Sequence, residues 1–128
     1  MKDGLVEEFW ENGQLRFKRN YKDGKKDGLQ ENYDEDGQLS LKENWKDNNP
    51  DGLWKFYYKN GELRSKVNFK NGKEDGLYET YHYNGQLEFR GNYKYGTKDG
   101  LWECYDENCR LWSKENYKNG KEDGLWEE

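Results

Sequence analysis

Isoleucine is absent from this chain, and proline, histidine and methionine occur once each. Leu and Val are too few to fill a conventional two-layer core. A single histidine, His82, leaves little material for general acid–base catalysis or a zinc site. Only two cysteines occur, Cys104 and Cys109, which is no disulfide framework and agrees with a reducing compartment. No apolar run approaches the ~20 residues of a membrane helix, and Met1 to Gln14 lacks the basic-then-apolar signature of a secretory signal. The expected location is therefore cytoplasmic. The net charge of -5 gives no basic footprint for double-stranded nucleic acid.

With 38% charged and 30% hydrophobic residues the composition borders on disorder, but 17% of the residues are aromatic. These aromatics fall at fixed phases. Asp-Gly recurs at Asp3, Asp27, Asp51, Asp75, Asp99 and Asp123, a period of 24 residues without insertion or deletion. The expected organisation is one repeat array over residues 1–128, with repeats 3–26, 27–50, 51–74, 75–98 and 99–122 and a partial copy at 123–128. Such periods mark arrays in which each unit buries its apolar surface only against its neighbours.

Counting from the Asp as position 1, each copy opens with Leu at position 3 and a mostly aromatic position 4, then reaches Phe or Tyr at position 7, a short strand pattern. Segments such as Lys59-Asn60-Gly61-Glu62 signal a hairpin turn, and Leu63 to Lys70 is the returning strand. Asn71 to Gly76 is expected to turn the chain into the next copy. The fold class is thus all-β: a single-layer antiparallel meander of five to six hairpin repeats in an elongated, twisted sheet. A three-residue bulged turn is expected to place Leu53, Tyr57, Leu63 and Phe69 on one face. The position-4 aromatics and Lys66, Arg90 and Lys114 would then share the other.

Chemistry-bearing groups are repeated rather than singular. Glu at position 5 recurs (Glu7, Glu31, Glu79, Glu103) except where Lys55 intervenes, which suits pairing with Lys18, Lys42, Lys66 and Lys114 better than acid–base work. The Asp-Gly loops carry lysines that spoil them for calcium, and Asp there suits a turn. No catalytic site, cofactor or metal is expected. Trp54, Tyr78, Trp102 and Trp126 occupy one column and should form a ladder about 10 Å apart. Trp112, Tyr58 and His82 depart from their columns. Together these seven are the candidate partner-binding residues, since Trp, Tyr and Arg dominate interface hot spots. Pro50 is expected to stiffen or bend the second junction, and Cys109 stands where the other copies place a turn glycine.

The pattern Asp-Gly-Leu-Trp-Glu, Tyr, Asn-Gly, Leu, Lys, Asn-Tyr-Lys-Asn-Gly-Lys, clearest from Asp99 to Lys121, resembles the MORN repeat in its bacterial variant form, over essentially the whole chain. Other MORN repeats place a glycine two residues before the aromatic of the second strand, where this chain has Arg19, Glu43, Val67, Gly91 and Glu115. The resemblance implies a non-catalytic scaffold that binds a protein partner, with an antitoxin or immunity-type inhibitor of a toxin as the specific form. Self-association is compatible with it. The alternatives are a structural or membrane-surface scaffold, or a glycan or single-strand binder using the aromatic ladder.

Overall fold

The computed structural model describes residues 3–118 and 121–122. Thirteen strand segments form one sheet: β1 (Gly4–Phe9), β2 (Leu15–Lys22), β3 (Lys25–Lys26), β4 (Gly28–Tyr33), β5 (Leu39–Lys46), β6 (Asn49–Pro50), β7 (Gly52–Tyr57), β8 (Leu63–Lys70), β9 (Lys73–Tyr81), β10 (Leu87–Lys94), β11 (Thr97–Tyr105), β12 (Leu111–Lys118) and β13 (Lys121–Glu122). Every pairing is antiparallel, and the path runs β1-β2-β4-β5-β7-β8-β9-β10-β11-β12-β13, with the two-residue β3 and β6 pairing back to β2 and β5. The result is a single open meander, and its first edge is β1. A further strand expected over 123–128 lies outside the described residues.

Each hairpin tip is a three-residue loop closed by a bulge residue of positive φ, glycine in the first four repeats and Cys109 (φ 65) in the fifth. In the third, the Tyr58 amide donates to the Glu62 carbonyl (2.8 Å) and the Gly61 amide to the Tyr58 carbonyl (3.0 Å). Gly61 sits at φ 91, the left-handed conformation that such a loop requires. A second irregularity follows at once. Between Phe56 and Tyr57 the register slips, leaving Arg64 as an extra residue on β8, and the slip recurs in every hairpin.

The slip cancels the shift made by the loop. Tyr57 does face Leu63, and Leu53 shares their side. Phe69, however, stands opposite Gly52 and packs on the Trp54 side, with ring centroids 5.1 Å apart. The expected grouping of Phe69 with the leucines is therefore corrected. So is that of the position-4 rings with the position-16 cations: Trp54 pairs with Val67 while Lys66 pairs with Lys55. One register step moves a side chain to the opposite face, and two opposed steps restore it.

Successive hairpins are joined by two-residue turns, Asp23-Gly24, Asp47-Asn48, Asn71-Gly72 and Tyr95-Gly96, with φ positive at both residues. The Asp-Gly pairs that open each repeat, such as Asp75-Gly76 and Asp99-Gly100, are not part of these turns. They form a wider bulge inside the following strand: Arg90 faces Glu103 but Asn92 faces Asp99, so β11 carries two extra residues there. Asparagine at position 18 repairs the ladder. Asn44 Nδ2 donates to the Leu53 carbonyl (2.7 Å), and the Asn44 carbonyl accepts from the Asp51 amide (3.0 Å), so backbone groups displaced by the bulge keep partners. Pro50 leaves its junction in the common register, opposite Trp45, and its carbonyl accepts from Gly72 as that of Glu74 does from Gly96.

Candidate partner-binding surface

Antiparallel pairing sorts the side chains into two unlike faces. One gathers the aromatics of positions 4 and 19. Trp45, Trp54 and Phe69 form one run, with centroids 5.3 and 5.1 Å apart. Tyr78, Tyr93, Trp102 and Tyr117 form another, with Tyr93 edge-on to Trp102 at 5.0 Å. The rings thus close-pack instead of standing about 10 Å apart, because position 19 of one strand interleaves with position 4 of the next. Trp102 is 4% exposed. A Cβ on Gly91 would lie 2.1 Å from its ring, so glycine at 91 is what lets the indole lie flat against the backbone.

The indoles also carry hydrogen bonds. Trp54 Nε1 donates to the Asn44 carbonyl (2.8 Å) and Trp102 Nε1 to the Asn92 carbonyl (3.1 Å). In the second repeat Gln30 stands in this column, and its Nε2 donates to the Asn20 carbonyl (2.8 Å). A buried amide thus reproduces the indole's donor. Burial holds the Glu43 carboxyl above the usual glutamate range, although Trp45, Lys26 and Arg19 work against that shift.

Position 8, at the tips, divides the repeats into two kinds. Asp34 and Asp106 fold back and accept amides of their own loop, from Asp36 and Gln38 and from Asn108 and Arg110. The bond from the Arg110 amide is the main reason the Asp106 carboxyl lies below its usual range. In the other three repeats Asn12, Asn60 and Asn84 cap the loop instead. Position 8 is then free to reach the next hairpin: Trp10 Nε1 to the Tyr33 carbonyl (3.2 Å), the Tyr58 hydroxyl to the Tyr81 carbonyl (2.7 Å), and His82 Nε2 to the Tyr105 carbonyl (2.8 Å). Near Trp10 the first tip has a groove of about 530 Å³ lined by Phe9, Glu11, Arg16 and Glu35.

The opposite face carries the charges. Down its centre, Glu7, Lys18, Glu31, Lys42, Lys55, Lys66, Glu79, Arg90, Glu103 and Lys114 each stand opposite the next. Glu79 is the best-held member, 3.3 Å from Lys66 and 3.7 Å from Arg90, and it accepts the Tyr81 hydroxyl at 3.1 Å. Burial opposes the charge on Lys66, but Glu79 and Tyr81 together outweigh it and hold its pKa above the ordinary lysine value.

The sequence-predicted residues therefore have different fates. Trp54, Tyr78 and Trp102 are packed between strands, and Tyr58 and His82 bind adjacent hairpins together. Trp112 is 61% exposed; it is the extra residue of the β12 bulge, beside Ser113, which faces Cys104. Trp126 lies outside the described residues. Phe89, 39% exposed and opposite Cys104, was not singled out because Phe17 shares its column. Its hydrophobic neighbours were the missed signal. Both cysteines are free. Burial, followed by the charge of Glu88, pushes the Cys104 thiol up, which disfavours the reactive thiolate.

Among the described residues no group of three His, Cys, Asp or Glu could hold a metal ion, and no helix is long and apolar enough to cross a membrane. The family model described as MORN repeat variant matches the sequence five times, at residues 2–23, 26–47, 50–71, 74–95 and 98–119. No curated protein matches it.

Proposed function

Because the chain belongs to the MORN repeat variant family, whose modules are generally non-catalytic, we propose that it binds a protein partner through the tip-side half of its aromatic face in the fourth and fifth repeats. One observation carries this. Among the described residues eight large hydrophobic side chains stand exposed. Phe89 and Trp112 lie on the tip-side half of the aromatic face with Tyr83 in the fourth tip, whereas Leu101 and Leu111 belong to the opposite face and Tyr95 to a junction turn. Phe89 and Trp112 flank the same strand, β11, near Cys104. Exposed apolar clusters of this kind mark contact sites, and a solvated Trp beside a Phe suits a hot spot.

An antitoxin or immunity-type inhibitor is the specific form we propose, since a rigid, acidic, non-catalytic surface can block a partner without chemistry of its own. Stacking of bases or sugars would instead need open ring faces at Trp54 and Trp102, and Trp102 keeps only 4% of its surface. The test is affinity capture from cells of the natural source with the wild-type chain and with Trp112→Ala/Phe89→Ser. Co-expression then shows whether the captured protein is toxic alone and harmless beside the chain. A partner held by the wild type and lost by the double variant is the expected result. Identical captures by both chains would refute this surface, and a captured partner that is harmless alone would refute the inhibitor form.

A further inference from the structure

On the charged face one repeat departs from the rest. In the fourth repeat the phenol at position 7 donates to the carboxylate at position 5, Tyr81 to Glu79 at 3.1 Å. In the second and fifth repeats burial and the neighbouring Glu31 and Glu103 raise the pKa of the Tyr33 and Tyr105 phenols. Cations at position 16 flank each of these carboxylates on both neighbouring strands. The third repeat has Lys55 in place of the glutamate. Lys42, Lys55 and Lys66 consequently stand directly opposite one another on three successive strands. Like charges so placed repel.

Lys66 is drawn to Glu79 at 3.3 Å, whereas Lys42 and Lys55 have no ion pair within 4 Å among the described residues. The Tyr57 hydroxyl likewise has no acceptor on a carboxylate, although burial and the charge of Glu31 raise its pKa. Two ammonium groups and a phenol, all half-buried, are thus donors sharing one face around the register position where the other four repeats hold a carboxylate. The row as a whole sets six cations against four carboxylates in a chain of net charge -5.

We propose that Lys42, Lys55 and Tyr57 form a receptor for a carboxylate side chain on an acidic segment of a protein partner. The occupant would do for the third repeat what Glu79 does for the fourth: accept the phenol and neutralise the lysines on either side. Charge complementarity selects it, and the internal copies supply its geometry. The inference rests on the chain being a protein-binding module but uses the face opposite Phe89 and Trp112, so the two surfaces can fail separately.

The test needs no knowledge of the partner. Hexaglutamate is titrated into the full chain at low salt while backbone amide and lysine side-chain NMR signals are followed, with inorganic phosphate as a second probe. The expected result is shifts centred on Lys42, Lys55 and Tyr57. Binding should weaken about tenfold in Lys55→Glu and about threefold in Tyr57→Phe, in keeping with lost charge-assisted hydrogen bonds. Phosphate should compete weakly. Shifts spread evenly over the exposed lysines at 22, 46, 70 and 94, or equal affinity in Lys55→Glu, would overturn the proposal, as would phosphate binding more tightly than the peptide. Tyr57→Phe retains the ring, so its effect is readable without loss of fold.

Discussion

The two faces of this sheet follow different rules of variation. On the aromatic face, columns change residue freely provided the change is compensated nearby. Gln30 replaces an indole and keeps its hydrogen bond to a position-18 carbonyl, and Gly91 yields its side chain so that Trp102 can lie on the backbone. On the charged face the alternation of glutamate and cation is retained, and its single interruption at Lys55 is compensated by no ion pair among the described residues. A deviation on the first face is packing; on the second it is a candidate site. Interior packing is judged by shape and satisfied donors, whereas a half-exposed charge can be satisfied from outside.

The comparison breaks most visibly at Trp102. Trp102→Ala removes a buried ring in contact with Tyr78, Tyr93 and Tyr117 and should cost about 3–5 kcal/mol, a large share of the ~5–15 kcal/mol expected for a domain. Gly91→Ala, on the neighbouring strand, should lose about 1–3 kcal/mol through overpacking. Urea unfolding followed by tryptophan fluorescence measures both. If Gly91→Ala were neutral, the indole would not depend on that glycine.

The charged face can be sharpened with a matched pair. Tyr81→Phe removes the hydroxyl that Glu79 accepts at 3.1 Å and should cost about 1 kcal/mol. Tyr57→Phe, in the repeat without a position-5 carboxylate, should cost less than about 0.3 kcal/mol by the same reasoning. Equal costs would mean that the phenols act through their rings alone.

Much of this was legible before any coordinates. The unbroken period, Asn-Gly at the tips and alternation within each strand lead to the meander, and the paired Tyr57 and Leu63 agree with the bulged loop. Phe69 was misplaced because the extra residue at position 14, Arg64 in its hairpin, has no compositional mark: Arg, Ser, Glu and Trp occupy that position in different copies. The Asp-Gly pairs look like turns because bulges and turns ask the same thing of glycine, positive φ. The burial of Trp102 could not be read from its own column. Gly91, eleven residues away, was the informative residue, and its meaning appears only when the two strands are in register.

A small effect of opposite sign is the most diagnostic of the difference between faces. Lys55→Glu would place a carboxylate opposite Lys42 and Lys66, completing the alternation and giving Tyr57 an acceptor. On the aromatic face a substitution at a half-buried position should destabilise; here the change should stabilise by about 0.2–1 kcal/mol. The gain should shrink as salt is raised, since partly exposed charges are screened within about 10 Å at 0.1 M. A variant that is more stable yet binds acidic peptide less well would separate folding from function at one residue. The wild-type lysine would then be a stability cost retained for an external carboxylate. A variant less stable than wild type at low salt would mean that the lysine row already finds its counter-charges within the chain.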